Sequence, residues 1–485
     1  MKFSVVITAA IVAISTCATI QATGQEVRAE SSSSTSERHN GRSVNRWRNT
    51  SVGTDFNVET RGTIELTDDD KDIKSLSNDG YLEITKTVFG ARRQIVIESL
   101  GGGKIKREYY EGRTKMEWDP NGKNWLGEIL PELVRSTTLG AEGRVNRIFQ
   151  KGGAKGVLDE IDELHGDYAK AHYAKLLLEK NIPSADMASV VSRIADDIHS
   201  DYYLATVYQN HVEKMLVTPA SADAFYQGTQ RINSDYYKTV VLKEALKKFS
   251  ASPSQIKTIL QAAASIKSDY YLSVVLSALL EEDNLKDESL TDLIAVSANI
   301  PSAYYRTQVL SKALEKKGLS ARAQKELVAS LSGVSSDYYK TGVVTKMAEG
   351  GTIDKGVQTE LITLVSNSVG SDYYSAIALK SLLEHQQLSD ASFKQVVIAG
   401  GKLNSANYAS EVLKRAGEGD LNKEQLIELI KATSSINSDH YLTEVLTSIA
   451  SQVKNSDQQV KDAYRQAAKR INNDTYYGRV LKAID

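Results

Sequence analysis

The sequence predicts an α+β multidomain protein: a small antiparallel β module followed by an α-solenoid of about ten two-helix repeats. Three observations carry this. The stretch "INSDYYKTVVLKEAL" (232–246) returns as "IKSDYYLSVVLSALL" from Ile266 and as "INSDHYLTEVLTSIA" from Ile436. Period-two alternation of apolar residues is confined to the part before Trp118. A chain of 485 residues is also too long for one ordinary core, so modules or a repeat array are expected.

Residues 1–22 read as a signal peptide: Lys2, an apolar run from Phe3 to Ile14, and "ATIQA" ending at Ala22. This run is too short for a stable membrane span, so no span is expected once the signal is removed. The expected location is periplasmic or secreted. Cys17 is the only cysteine and lies inside this leader, so the mature chain is expected to hold no disulfide. "ISTC" (14–17) is similar to the lipobox of bacterial lipoproteins, which leaves an alternative in which Cys17 is lipidated and anchors the protein. Residues 23–51 are polar, with a serine run at 31–34, and read as a disordered tether.

Residues 52–119 read as the β module. Phe56, Val58, Ile64 and Leu66 alternate with polar residues, "YLEITKTV" and "RRQIVIES" continue in strand-forming residues, and "GKIKREYYEGRTKMEW" reads as a hairpin turning at Glu111–Arg113. "SNDGY" and "DPNG" supply turn residues. The cluster Asp68, Asp69, Asp70 and Asp72 lacks the spaced carboxylates and glycine of a calcium loop, so it reads as a solvated turn. Residues 120–140 read as a linking helix, kinked or started at Pro131.

From 141 to 485 the text repeats. Aligned on the Asp of SDYY, the copies stand at Asp167, Asp201, Asp235, Asp269, Ala303, Asp337, Asp372, Ala406, Asp439 and Asp474. Their mean spacing is about 34 residues, a length typical of two-helix repeats. In one unit, Ser252 caps a first helix with Pro253 at its first position, and Ile256, Ile259, Leu260 and Ala263 form one stripe. Ser268 caps the second helix, and Asp269 puts negative charge at its positive end. Tyr237, Val241, Ala245 and Phe249 fall on an i, i+4 row and are expected in the core, whereas Tyr236 is expected at the margin. The first tyrosines Tyr202, Tyr236, Tyr270, Tyr304, Tyr338 and Tyr373 are therefore the candidate partner surface, a ladder offering both a ring and a hydroxyl. Inter-repeat packing is the competing use for the same row. The copies "IPSAYY" and "LNSANY" depart from the pattern.

The spacing matches tetratricopeptide repeats but lacks their Trp, Leu-Gly and terminal Pro marks, so HEAT-like packing stays equally open. "VETRGTIELTDDDKDIKSLS" and the recurrent SDYYxxxVL resemble uncharacterised bacterial envelope proteins and the extracytoplasmic tails of membrane metallopeptidases related to β-lactam sensors. The similarity covers most of residues 55–485 and implies a sensing or interaction role in the envelope. The peptidase domain of those sensors, with its paired zinc histidines, has no counterpart in this sequence, so the resemblance does not imply proteolysis.

Chemistry-bearing motifs are sparse. Lys+Arg (59) and Asp+Glu (61) nearly cancel, which gives no basic excess for nucleic acid. None of the seven histidines forms a helical zinc-protease pair, and neither a GxSxG elbow nor a GxxxxGK[ST] loop occurs. "SLGGGKIK" (99–106) joins strands and reads as a hairpin loop, not a phosphate cradle. No catalytic residue, metal or cofactor is expected. The sequence points to a non-enzymatic extracytoplasmic scaffold that presents its repeats to a protein or peptide partner in the cell envelope. A cell-wall-acting enzyme, or a sensor binding wall fragments or glycans, is the alternative.

Overall fold

The computed structural model describes residues 31–39, 42–283 and 285–485. The expected signal peptide, Cys17 and residues 23–30 lie outside these. The chain divides into two compact units, one ending at Arg231 and one covering Ile232–Asp485. The division falls inside the repeats, before the third SDYY copy, and not near residue 140.

In the first unit the strands are β1 (Ser31–His39), β2 (Arg42–Ser51), β3 (Thr54–Arg61), β4 (Ile64–Leu66), β5 (Ile73–Leu76), β6 (Tyr81–Val88), β7 (Ala91–Gly101), β8 (Lys104–Glu111) and β9 (Thr114–Met116). Seven of them form one antiparallel sheet in the order β1-β2-β3-β6-β7-β8-β9, and β4 and β5 pair as a separate hairpin between β3 and β6. The alternation read from sequence sets the faces: Phe56, Val58, Leu82, Ile84, Ile95 and Ile97 are buried on one side. The triple glycine forms the β7–β8 turn, where Gly101, Gly102 and Gly103 take φ of 80°, 60° and 77°, a backbone that other residues resist.

Two boundaries need correction. Residues 31–39 and 42–51, expected within a disordered tether, pair as the β1–β2 hairpin, and β2 continues onto β3. Trp47 packs edge-on against Phe56 with ring centres 5.1 Å apart, which supplies apolar contact to an otherwise polar stretch. The expected linking helix is instead the cover of the sheet. Helix α1 (Lys123–Ser136) buries Trp125, Leu126, Ile129, Leu130, Leu133 and Val134 in the same core as the strands, and Pro131 lies inside it. Six such side chains, at roughly 1.5–3 kcal/mol each, make α1 integral to the β module.

The first unit continues with α2 (Ala141–Asp162), α3 (Asp167–Leu178), α4 (Met187–Asp197), α5 (Asp201–Met215) and α6 (Pro219–Thr229). The acidic turn is corrected at one residue, for Asp68 and Asp69 are exposed as a solvated turn requires. Asp70 is mostly withdrawn from solvent: its carboxylate accepts from Arg144 Nε at 2.8 Å and Arg147 at 2.5 Å, both on α2. Arg144, whose side chain is only 5% exposed, also reaches Glu160 at 2.8 Å and the Tyr173 hydroxyl at 2.5 Å. Burial works against its charge, but Tyr173, Glu160 and Asp70 overcome that and hold its pKa above the ordinary value. This cluster ties the β4–β5 hairpin to the first helices.

The second unit is a repeated array: α7 (Asp235–Lys248), α8 (Pro253–Ala264), α9 (Asp269–Leu279), α10 (Asp287–Ser297), α11 (Ala303–Ala313), α12 (Ala321–Ser332), α13 (Asp337–Glu349), α14 (Lys355–Ser368), α15 (Asp372–His385), α16 (Asp390–Gly401), α17 (Ala406–Ala416), α18 (Lys423–Ala432), α19 (Asp439–Lys454), α20 (Gln458–Ala468) and α21 (Asp474–Ile484). Odd-numbered helices are the SDYY helices. Each packs on the next odd-numbered helix, and each even-numbered helix on the next even one, so the unit is two rows of helices. The start signals hold: Ser252 and Gln255 form a capping box with Pro253 at the first turn, and Ser268 accepts from the Tyr271 amide. Ile256, Ile259, Leu260 and Ala263 are buried as the stripe requires.

Candidate partner-binding surface

The geometry of each SDYY start fixes both tyrosines. The serine cap sets the first turn, so the residue after the Asp points outward while the next one leans toward the neighbouring repeat. In the first unit Tyr202 is 40% exposed, and in the second Tyr236, Tyr270, Tyr304, Tyr338 and Tyr373 are 45–62% exposed. All six candidates are therefore at the surface. The second tyrosines, Tyr237 among them, were expected in the core but are only half-buried. Their rings fill the seam between successive helices, and Val241 and Ala245 below them form the core.

Within the second unit the tyrosines form a zigzag. Each first tyrosine meets its own partner edge-on, as Tyr304 meets Tyr305 at 5.1 Å, and then the second tyrosine of the next repeat. The inter-repeat distances are 6.0 Å for Tyr236–Tyr271, 5.8 Å for Tyr270–Tyr305, 5.9 Å for Tyr304–Tyr339, 6.2 Å for Tyr338–Tyr374 and 5.8 Å for Tyr373–Tyr408. Interplanar angles of 61–69° in these contacts suit the ring quadrupoles. The row thus packs repeats together and still leaves about half of each outer ring in water.

One member was missed in the sequence, and a second, His440, reads there as a replacement of the first tyrosine. Tyr168 follows Asp167 but precedes an alanine, so it lacks the YY mark; it is 44% exposed and its ring centre lies 6.0 Å from Tyr203. His440 stands in a tyrosine's place and keeps the zigzag, 6.0 Å from Tyr476.

The SDYY aspartate does more than complement its own helix. Asp235 Oδ2 accepts from the amides of Lys267 (3.0 Å) and Ser268 (2.8 Å) in the following repeat. Asp269 does the same for Ser302 at 2.8 Å, Asp372 for Ser405 at 2.7 Å, and Asp439 for Asn472 and Asn473 at 3.0 and 2.9 Å. Asp167 accepts from His199 and Ser200 at 3.1 and 2.6 Å in the first unit. Ala303 and Ala406 have no carboxylate to offer.

A buried cation three residues after the aspartate position is a second device hidden from periodicity, because it places charge on the core stripe. Lys340 Nζ donates to the Ser368 carbonyl at 2.7 Å and its hydroxyl at 3.0 Å, at the end of α14. Arg306 donates to the carbonyls of Ile300 (2.7 Å), Ala298 (2.8 Å) and Ser330 (3.1 Å). These heads satisfy carbonyls at helix C-termini, where positive charge is favoured. Burial lowers the pKa of both groups. A third series crosses the surface: Lys312–Glu281, Lys346–Glu315, Lys380–Glu411 and Lys414–Glu444 pair at 2.7–2.8 Å. It leaves this face of the SDYY helices close to electrically neutral.

Among the described residues, no group of three His, Cys, Asp or Glu side chains stands close enough to hold a metal ion. No described helix is long and apolar enough to cross a membrane. The described chain is a helical-repeat protein with an antiparallel sheet ahead of the repeats. No family model matches it, and no curated protein matches it.

Proposed function

We propose that the repeats form an α-solenoid serving as a non-enzymatic docking platform, exported from the cytoplasm, for a protein or peptide partner in the cell envelope. The observation that carries this is the outer tyrosine row of the second unit, five rings about half exposed at the same place in consecutive repeats. Tyrosine is enriched where proteins bind, because a rigid amphipathic ring gives large contact area at small entropic cost. The zigzag holds these rings before any partner arrives, so little ordering remains to be done on binding. The likeness of the SDYYxxxVL text to envelope proteins supports the same reading, as does the signal-like leader.

The test is crosslinking capture from envelope extract. The whole chain should retain a specific partner that a triple variant, Tyr270→Ala, Tyr304→Ala and Tyr338→Ala, loses while remaining folded. A partner held equally well by the triple variant would remove the tyrosine row from the function.

A further inference from the structure

Three hairpin turns lie at one end of the large sheet. Val52 and Gly53 join β2 to β3, Phe89 and Gly90 join β6 to β7, and Gly112 and Arg113 join β8 to β9. The opposite end of the sheet leads into the β4–β5 hairpin, through which Asp70 binds α2, so the helices that follow attach away from these turns.

The first two turns carry exposed apolar side chains: Val52 is 67% exposed, Val88 40% and Phe89 84%. Phe89 and Gly90 take φ of 46° and 86° between the paired Val88 and Ala91, a turn in which asparagine and glycine are the ordinary pair because φ is positive at both positions. Phenylalanine is unfavourable there twice, in backbone conformation and in exposure. It is also held in place. Its amide donates to the Gly53 carbonyl at 2.6 Å, and its ring lies so close over Gly53 that a Cβ built there would meet ring carbons at 2.4–2.9 Å. Glycine at 53 is therefore required by the ring, and the two turns make one apolar tip. Folding gains little from a ring left in water, so what keeps it is something the tip touches.

Two observations identify what that is. Ser31 pairs with Thr50, so the chain before residue 31 leaves the sheet at this same end. Residues 15–30 separate Ser31 from the apolar run Phe3–Ile14, a reach of at most about 60 Å, so a leader inserted in the membrane, or a lipid on Cys17, keeps the tip beside the bilayer. Cations also flank the tip. Arg92 and Arg113 are exposed and make no ion pair among the described residues. Of the carboxylates nearby, Asp55 is held by Arg48 at 3.1 Å, Glu132 by Lys86 at 2.9 Å, and Glu111 accepts from the Tyr109 hydroxyl at 2.7 Å. Glu128 lines the same groove as Arg93.

We propose that this tip is a membrane-contact site, which sets Phe89 with Val52 and Val88 into the interfacial layer of a bilayer whose anionic headgroups meet Arg92 and Arg113. Apolar side chains enter the acyl boundary while arginines stay at headgroup level, where negative surface potential favours them. A tip made of turns projects outward, which a fluid lipid surface accepts and a protein would have to match with a pocket.

The test uses the expected mature chain, from Thr23 onward, so that the leader itself cannot insert. It should co-sediment with vesicles of phosphatidylethanolamine and phosphatidylglycerol, and less with vesicles of phosphatidylcholine alone. Phe89→Asn, which suits the turn, should melt no lower than the unaltered chain and lower the partition coefficient about tenfold or more. Arg92→Gln combined with Arg113→Gln should erase the preference for anionic vesicles. Leu100→Asn, which removes a side chain 62% exposed at the opposite end of the sheet, should change nothing. The inference is overturned if neither vesicle is bound, if Phe89→Asn binds as the unaltered chain does, or if Leu100→Asn weakens binding as much. Recovery of an envelope protein that depends on Phe89, without vesicle binding, would assign the tip to that protein and overturn it as well. These variants leave the outer tyrosines untouched, so the result stands apart from success or failure of the docking reading.

Discussion

Asp337 and Ser371 stand 34 positions apart, yet Asp337 Oδ2 accepts the Ser371 amide at 3.0 Å, and the Gly370 amide as well. One carboxylate thus serves the start of its own helix α13 and clamps the start of α15. Hydrogen bonds to a charged acceptor contribute about 1.5–3 kcal/mol. Asp337→Ala should cost the second unit about 2 kcal/mol by that measure, read as a lower urea midpoint.

The two alanine copies invert the experiment. Ala303→Asp and Ala406→Asp each place a carboxylate where the neighbouring aspartates make this bond, and each should stabilise by about 1 kcal/mol. In the unaltered protein, hydrogen exchange at Ser336 and Ser438 should run faster than at Ser371 and Ser405. Equal exchange at all four amides would show that the clamp contributes nothing to local stability.

Arg144 makes a different kind of junction. Replacing it by methionine leaves Asp70 and Glu160 near each other without their shared cation, and breaking a buried pair in this way costs about 3–5 kcal/mol. Exchange protection should fall first in the β4–β5 hairpin, which Asp70 anchors. Loss of protection confined to α5 and α6 would contradict that assignment.

Asp197, at the end of α4, is 9% exposed and its Oδ2 has no partner. Burial, then the nearby Asp162, raises its pKa against the opposing pull of Arg193 and Lys170. The native state therefore binds this proton more tightly than the unfolded chain does. Stability falls as pH rises from the ordinary carboxylate value through the raised one, and the deficit is complete above it. Asp197→Asn should raise the melting temperature at neutral pH, by about 1 kcal/mol in stability, and change little below the ordinary carboxylate range. A lower melting temperature at neutral pH would be the contrary result.

The two tyrosines of a repeat should separate in stability. Tyr304→Ala removes an exposed ring with two edge-to-face contacts, at about 1 kcal/mol. Tyr305→Ala also removes a half-buried ring from the seam with α9, so its cost should be larger, in matched denaturation curves. Equal losses would mean that the outer ring is as much a packing element as the inner one.

What the sequence by itself determined is local. Ser252 and Pro253 mark a helix start, Ser268 and Asp269 mark the next, and alternation in "FNVETRGTIEL" assigns strand faces, because caps and side-chain periodicity act over a turn or two of chain. The tertiary structure decided everything that joins distant residues. The aspartate's second role needs an acceptor about 33 residues from its donor, and the apolar face of α1 looks the same whether it bridges domains or covers a sheet. Asp70 reads as solvated until Arg144 and Arg147 arrive from another element. The buried Lys340 and Arg306 break the apolar stripe, and only the carbonyl ends packed around them supply the reason. The outer tyrosines were legible as a row, but their half-exposure depends on how closely successive helices approach.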